Sequence, residues 1–267
     1  MSTSSNSLLW ELQLPQHSAP SYLFGTMHVR DERVFSSIDK LTTYLHQCDA
    51  FAAEFDFQEA NFSQLEQASQ LPEGVGLHTA LSPSIYKKLA KVVAKETHQP
   101  LEVFDQRSPM LLLNLLAEAQ LSTEQNVALD KLLYDLALQA GKKILGLETF
   151  QEQLDVFQHF NLAEQYRALK QVATNFKRYK RTLQKTTAAY FKGDMNGLYQ
   201  QSKRSIGSMR RVLLYERNQK MADRFEAYTQ EQTLFAAIGA GHLAGQKGVL
   251  RLLKKKGYRL RPLPYHL

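Results

Sequence analysis

Two stretches of the chain put a histidine in the same setting. Residues 22–29 read YLFGTMHV and residues 235–243 read FAAIGAGHL, so an apolar run reaches Gly25 or Gly239 and then His28 or His242 follows. Two further apolar runs end on an acid: DAFAAE closes on Glu54 and KKILGLE on Glu148. In open parallel sheets, ligands bind beyond the carboxyl ends of the strands. If these four runs are neighbouring parallel strands, two imidazoles and two carboxylates converge on one edge. Neutral imidazole nitrogen and carboxylate oxygen are the usual ligands of a catalytic divalent ion. Such a site keeps three protein ligands and an open position for water, whose pKa the ion lowers to about 7. Two histidines and one glutamate would supply the ligands, and the remaining glutamate would take the proton. Gly25 and Gly239 are expected to let the backbone turn tightly and a ligand approach it. A solitary G-x-x-H is commonly a capped or core-edge histidine. The weight rests on four polar residues at four strand ends, because a carboxylate ending a buried strand needs partners.

Six segments read as strands: 8–13, 21–27, 49–55, 143–147, 234–239 and 258–263. Each is short, rich in β-branched or aromatic residues, or bounded by turn signals. Helical patterns fill the rest. Residues 33–47 line apolar side chains along one face. Ser108 and Pro109 open a helix over 108–121 as N-cap and first helical residue. Another runs over 126–140, with Gly141 to stop it. A long segment, 162–192, buries Leu162, Tyr166, Leu169, Val172, Phe176, Tyr179 and Leu183. Strands separated by helices predict an α/β fold, with a mainly parallel mixed sheet flanked by helices. The purely helical stretch 57–125 is expected as an insertion or lid that shapes a substrate cleft, and 151–230 as a second helical segment. Because the sheet draws on both ends of the chain, residues 1–267 are expected to form one domain.

Composition excludes some classes. The net charge of +7 comes mainly from KRYKR (177–181), KRSIGSMRR (203–211) and RLLKKKGYRLR (251–261). Such runs are solvated helix faces, and the aromatics between them fall on core spacing, so nucleic acid is not an expected partner. No apolar run nears the roughly 20 residues of a bilayer span, so membrane association is not expected of the chain as it stands. Its start, MSTSSNSLLWELQLP, has no basic leader with a long apolar core. No compartment is assigned: the chain reads as cytoplasmic as it stands, and as exported or membrane-anchored if a leader has been removed. The single cysteine, Cys48, excludes an internal disulfide framework. His46 and Cys48 point to different helix faces, and His17, His78, His98, His159 and His266 sit in polar segments without a partner pattern. No G-x-S-x-G elbow, P-loop, H-E-x-x-H or Rossmann glycine pattern occurs.

With YLFGTMHV and the Glu54 strand, three more blocks complete a pattern: LDKLLYDLALQAGKKILGLETFQEQLDVF (129–157), YERNQKMADRF (215–225) and FAAIGAGHLAGQKGVLRLLKKKGYRL (235–260). Together they resemble the TraB/GumN family, whose animal relatives are the TIKI proteases that clip Wnt proteins. The likeness runs from about Leu9 to Pro262 and is loose over 57–125. It implies an α/β fold shared with erythromycin esterase-like and ChaN-like proteins. It also implies metal-dependent proteolysis, with manganese or cobalt as the ion; zinc is a further candidate for the same donors. The family's motif positions map onto His28, Glu54, Glu148 and His242; with the donor chemistry, His28, Glu54 and His242 are expected as the ligands and Glu148 as the general base or fourth ligand. Arg217 stabilises an oxyanion or makes an ion pair with Glu148 or Glu54. Asp130, Gln153 and Asn218 are expected to bind substrate. Asp130 stands where the family often has G-x-D; here Ala128 replaces that glycine.

The leading expectation is thus a divalent-metal hydrolase, a peptidase first. In one alternative, His28 activates water directly for ester hydrolysis without a metal, as the esterase-like relatives suggest. In another, the same cleft sequesters a peptide, haem or iron without turnover. The partner is a peptide or small molecule in each case, and the sequence assigns no oligomeric state.

Overall fold

The computed structural model describes residues 7–35, 38–121, 124–159, 161–207 and 210–265. Residues 36 and 37 of the expected helix 33–47, and His266, lie outside them. Six strands form one mixed sheet: β1 (Leu9–Gln13), β2 (Ser21–Thr26), β3 (Ala50–Ala53), β4 (Lys143–Gly146), β5 (Leu234–Gly239) and β6 (Arg259–Leu263). Their order is β4-β3-β5-β2-β1-β6. The first four in that order run parallel, whereas β1 is antiparallel to both β2 and β6. All six strands expected from the sequence are present, with ends moved by a residue or so.

Burial follows this order. Every residue of β2 and β3 is buried, and β5 is buried up to Gly239. Unbroken apolar runs such as YLFG and LFAAI suit strands covered on both faces. The outer strand β6 (RLRPL) alternates instead, and its Pro262 is tolerable at an edge where no further strand needs its missing N–H. The helix Leu129–Gln139 packs on β3, β4 and β5, and the helix Ile38–His46 packs on it and on β5. The helices Arg217–Thr229 and Val249–Lys255 pack on each other, the first also on β5 and the second on β6. Between these layers the rings of Phe51 and Phe235 stack with centroids 6.2 Å apart, and Phe51 meets Tyr134 edge-on at 6.3 Å.

The chain divides into two compact units. The first is 1–60, 123–150 and 186–267, and holds the sheet; the second is 61–122 and 151–185. The second unit is helical, with Pro83–Thr97, Pro109–Glu118 and Leu162–Thr174 as its longer wholly contained helices. Its core is Leu89, Val93, Leu112, Leu116 and Leu169, all fully buried. The expected helical stretch 57–125 contributes 61–122 to this unit, and the stretch 151–230 divides at residue 185.

Helix ends follow local chemistry. Ser108 accepts the Leu111 N–H ahead of Pro109, and Gly141 takes φ 66° to end Leu129–Gln139. The segment 162–192, read as continuous, breaks at Asn175 into Leu162–Thr174 and Phe176–Phe191. The Asn175 side chain accepts the Arg178 N–H at 3.3 Å, so one asparagine ends a helix and starts the next. Apolar spacing carries across the break, which is why periodicity alone misses it. Among the described residues, no helix is long and apolar enough to cross a membrane.

Truncating Phe235, fully buried at the centre of the sheet, removes the ring stacked on Phe51. Phe235→Ala is expected to cost about 3–5 kcal/mol of stability, measured as a lower urea midpoint at unchanged slope.

Candidate active site

The parallel registers bring four chain exits to one edge. Thr26 lies opposite Gly239, and Ala53 opposite Gly146. The β3–β4 pairing continues past both strands: Leu147 N–H donates to the Ala53 carbonyl at 3.0 Å and Glu148 N–H to the Glu54 carbonyl at 2.6 Å. Glu54 and Glu148 are therefore held side by side. His242 closes the single 3₁₀ turn Ala240–His242 after β5, and His28 stands two residues beyond β2.

Two neighbouring carboxylates in a buried edge demand a cation, and Arg217 supplies it. Its Nε lies 2.9 and 3.1 Å from the two Glu148 oxygens, and its Nη2 lies 2.6 Å from Glu148 Oε2 and 2.9 Å from Glu54 Oε2. Arg217 opens the helix Arg217–Thr229 directly after a π-helical turn, Arg211–Glu216. From the same helix, Arg224 donates to the Leu147 carbonyl at 3.0 Å and Tyr228 to the Gly146 carbonyl at 3.0 Å, fixing the loop that carries Glu148. The Glu148 side chain is 1% exposed and that of Glu54 29%, so Glu54 is the acid a ligand can reach. Burial works to raise the Glu54 pKa. The Arg217 charge, then the Gly239 N–H, outweigh it and lower the pKa to about 2.

His242 is fixed from one side. Its Nδ1 lies 2.6 Å from Asn218 Oδ1, and Asn218 Nδ2 donates to the Lys247 carbonyl at 2.7 Å. Its Nε2 stands 4.0 Å from Glu54 Oε1, which accepts the Gly239 N–H at 2.7 Å. Burial, then the nearby Arg217 charge, depress the His242 pKa to about 4 against the pull of Glu54, so the ring is neutral at pH 7.

His28 is half-exposed, and its Nδ1 lies 3.2 and 3.3 Å from the two oxygens of Asp130. The two meet because the segments bearing them are tied: Leu129 N–H donates to the Val29 carbonyl at 3.2 Å and Gln125 N–H to the Arg30 carbonyl at 2.9 Å. The structure thus joins Glu54, Glu148, Arg217, Asn218 and His242 in one network and pairs His28 with Asp130. Gln153 lies in the helix Phe150–His159, within the second unit.

The two glycines serve close approach and not turning. Both keep negative φ, that of Gly239 being −54°. A Cβ on Gly25 would stand 2.5 Å from Leu243 Cδ1 and 3.1 Å from the Ala240 backbone, and one on Gly239 would stand 3.0 Å from Glu54 Oε1. Gly25 therefore lets the His242 turn sit against β2, and Gly239 lets the Glu54 carboxylate reach the β5 backbone. Sequence reading missed Arg224 and Tyr228. They lie seven and eleven residues after Arg217, on one face of its helix, which is the signal that would have found them.

A divalent ion needs neutral imidazole and carboxylate donors, with hydrogen bonds behind them. The His242–Glu54 pair fits that requirement: the ring is neutral, its far nitrogen is engaged by Asn218, and the acid is ionised. Among the described residues, however, no group of three or more His, Cys, Asp or Glu side chains is drawn together as a metal cage.

A mixed sheet flanked by helices, with acids and histidines at the carboxyl ends of its parallel strands, defines an α/β protein with a charged strand-end site. The TraB/PrgY/gumN family model matches residues 8–262, and the chain belongs to that family. Metalloprotease TIKI2 of Danio rerio is 27% identical, the match covering 97% of this chain and 61% of that protein. Metalloprotease TIKI1 of Homo sapiens is 25% identical, covering 97% and 62%. An uncharacterized protein of Treponema pallidum (strain Nichols) is 24% identical, covering 93% and 80%. The chain spans about three fifths of the length of these TIKI proteins. No solved structure matches it significantly.

Arg217→Met would strand two carboxyl groups at a buried edge, and breaking such a cluster costs about 3–5 kcal/mol; urea unfolding reads the loss. A second expectation concerns pH. Because the His242 pKa falls from 6.5 unfolded to about 4 folded, only the unfolded chain takes up this proton between those values. Stability from this residue is therefore present above the window and lost as pH falls through it. In protein kept in EDTA, the drop in urea midpoint from pH 7 to pH 5 should be smaller for His242→Gln than for the natural protein.

Proposed function

We propose that this chain is a divalent-metal-dependent hydrolase acting on peptides, with His28, Glu54 and His242 as the ligands of its ion. The observation that carries the reading is the facing pair of donors, His242 Nε2 and Glu54 Oε1, 4.0 Å apart. One is buttressed by Asn218, the other by Arg217 and the Gly239 N–H. The names of the relatives, metalloproteases in both TIKI cases, support the same class. When bound, such an ion supplies Lewis acidity and makes water a stronger acid near neutral pH.

The chain's own groups divide the remaining work. Arg217 keeps Glu54 ionised and oriented, so that a donor oxygen is ready at the edge. Glu148, expected from the sequence as general base or fourth ligand, has both oxygens accepting from Arg217. That geometry favours service as the anchor of the guanidinium, and it likewise favours the ion-pair role of Arg217 over direct contact with an oxyanion. A substrate role for Gln153 rests on the resemblance alone.

His28→Ala and His242→Ala should each abolish uptake of manganese, cobalt or zinc, and with it cleavage of a peptide library, while leaving circular dichroism unchanged. Metal content is measured after dialysis by elemental mass spectrometry, and unchanged content in both variants would sink the ligand assignment. Saturable peptide binding without products would favour sequestration.

One observation favours a second reading. The half-exposed His28, backed by the Asp130 carboxylate, has the form of a general base held by an acid. Ester hydrolysis that survives exhaustive chelation and is lost in His28→Ala would select this metal-free route.

A further inference from the structure

We infer that Asn218 is a positioning residue. It holds the His242 ring in the tautomer with the proton on Nδ1, so that Nε2 presents its lone pair on the side of Glu54. The inference rests on the proposed metal site for its purpose, but the tautomer itself follows from hydrogen-bond geometry. Asn218 is fully buried, and its amide has one orientation that satisfies both neighbours. Nδ2 must face the Lys247 carbonyl, an acceptor 2.7 Å away, because turning the amide over would set oxygen against oxygen. Oδ1 then faces His242 Nδ1 at 2.6 Å. Oδ1 can only accept, so Nδ1 must carry the hydrogen. A neutral imidazole has one N–H, so in the neutral ring the hydrogen on Nδ1 is that one. Nε2 is thereby left as the acceptor nitrogen, 4.0 Å from Glu54 Oε1 and too far for a hydrogen bond to it.

This assigns Asn218 a different task from direct contact with substrate. A side chain whose oxygen is used by His242 and whose nitrogen is used by Lys247 is committed to the protein. The Lys247 carbonyl matters as much as the amide, because it is what forbids the opposite orientation. The arrangement is built by the chain's own order: Arg217 and Asn218 are adjacent at the start of one helix and diverge by about 100°. One meets the acids and the other the histidine. A single helix end thus sets the charge of Glu54 and the tautomer of His242.

The test uses the full chain with ¹⁵N-labelled histidine, kept metal-free, and reads the two ring nitrogens of His242 by long-range ¹H–¹⁵N correlation at pH 7. Signals are assigned with His242→Gln. The natural protein should show Nδ1 protonated and Nε2 bare. Asn218→Leu, close in volume, should lose that signature and show the Nε2–H form or a mixture. Asn218→Asp keeps an acceptor for Nδ1 and should retain a protonated Nδ1, which a merely space-filling role would not require. Urea unfolding of each variant verifies that folded protein is being observed. In a parallel titration with Mn²⁺ followed by electron paramagnetic resonance, Asn218→Leu should bind about 10–100-fold more weakly than the natural protein. An unchanged tautomer in folded Asn218→Leu overturns the inference, as does a changed tautomer with undiminished Mn²⁺ affinity. Absence of Mn²⁺ binding by the natural protein would instead remove the metal reading, while the nitrogen spectra would still decide whether Asn218 sets the ring.

Discussion

The strand-end site depends on one guanidinium. Parallel pairing of β3 and β4 runs on for two residues and delivers two acids to the same point, where Arg217 meets both. Arg217 answers both with a planar fork, two of its nitrogens meeting three carboxylate oxygens. Lysine, a compact point charge, has no such fork. The asymmetry of the result is what gives it chemical meaning. Glu148 is engulfed and gripped by Arg217 on both oxygens, whereas Glu54 meets Arg217 through one oxygen and remains accessible. A pair of like residues at like positions is thereby split into an anchor and a reachable acid.

The same logic separates the two histidines. His242 is buried, neutral and backed by an amide; His28 is half-exposed and backed by a carboxylate. An amide contributes no charge and so fixes direction alone, while a carboxylate brings a formal charge as well. The two G-x-x-H blocks, near twins in sequence, therefore present different bases on adjacent strands. Their glycines are alike in purpose, since each removes a Cβ that would push the His242 turn away from β2 or Glu54 away from β5.

Much of this was legible in the sequence. Apolar runs ending in His or Glu marked the four parallel strands, and unbroken hydrophobicity over residues 22–25 and 234–238 marked the burial of β2 and β5. What periodicity could not report was a break that preserves the apolar face, as at Asn175, or the grouping of helices in space, as where 151–230 divides. The network around Glu148 was hidden for a different reason. Arg224 and Tyr228 act through backbone carbonyls at Gly146 and Leu147, and a carbonyl carries no trace of its partner in the residue types. The resemblance supplied Arg217 and Asn218 as a motif, but only geometry distinguishes the one that holds acids from the one that holds a ring.

Formal charge around the cluster bears on the kind of ligand it would accept. Glu54 and Glu148 both contact Arg217 and the neutral His242 adds nothing, so these four side chains sum to one negative charge; Asp130 beside His28 adds another, and Arg224 is directed at the Leu147 carbonyl. In a partly desolvated edge an excess negative charge is costly unless something positive meets it. An anionic ligand would deepen that imbalance, and a neutral one would leave it standing. A cation would relieve it, and the surface left to receive one is the open face of Glu54, opposite the bare nitrogen of His242. Charge, burial and donor chemistry thus favour the same place in the fold, independently of any likeness to other proteins.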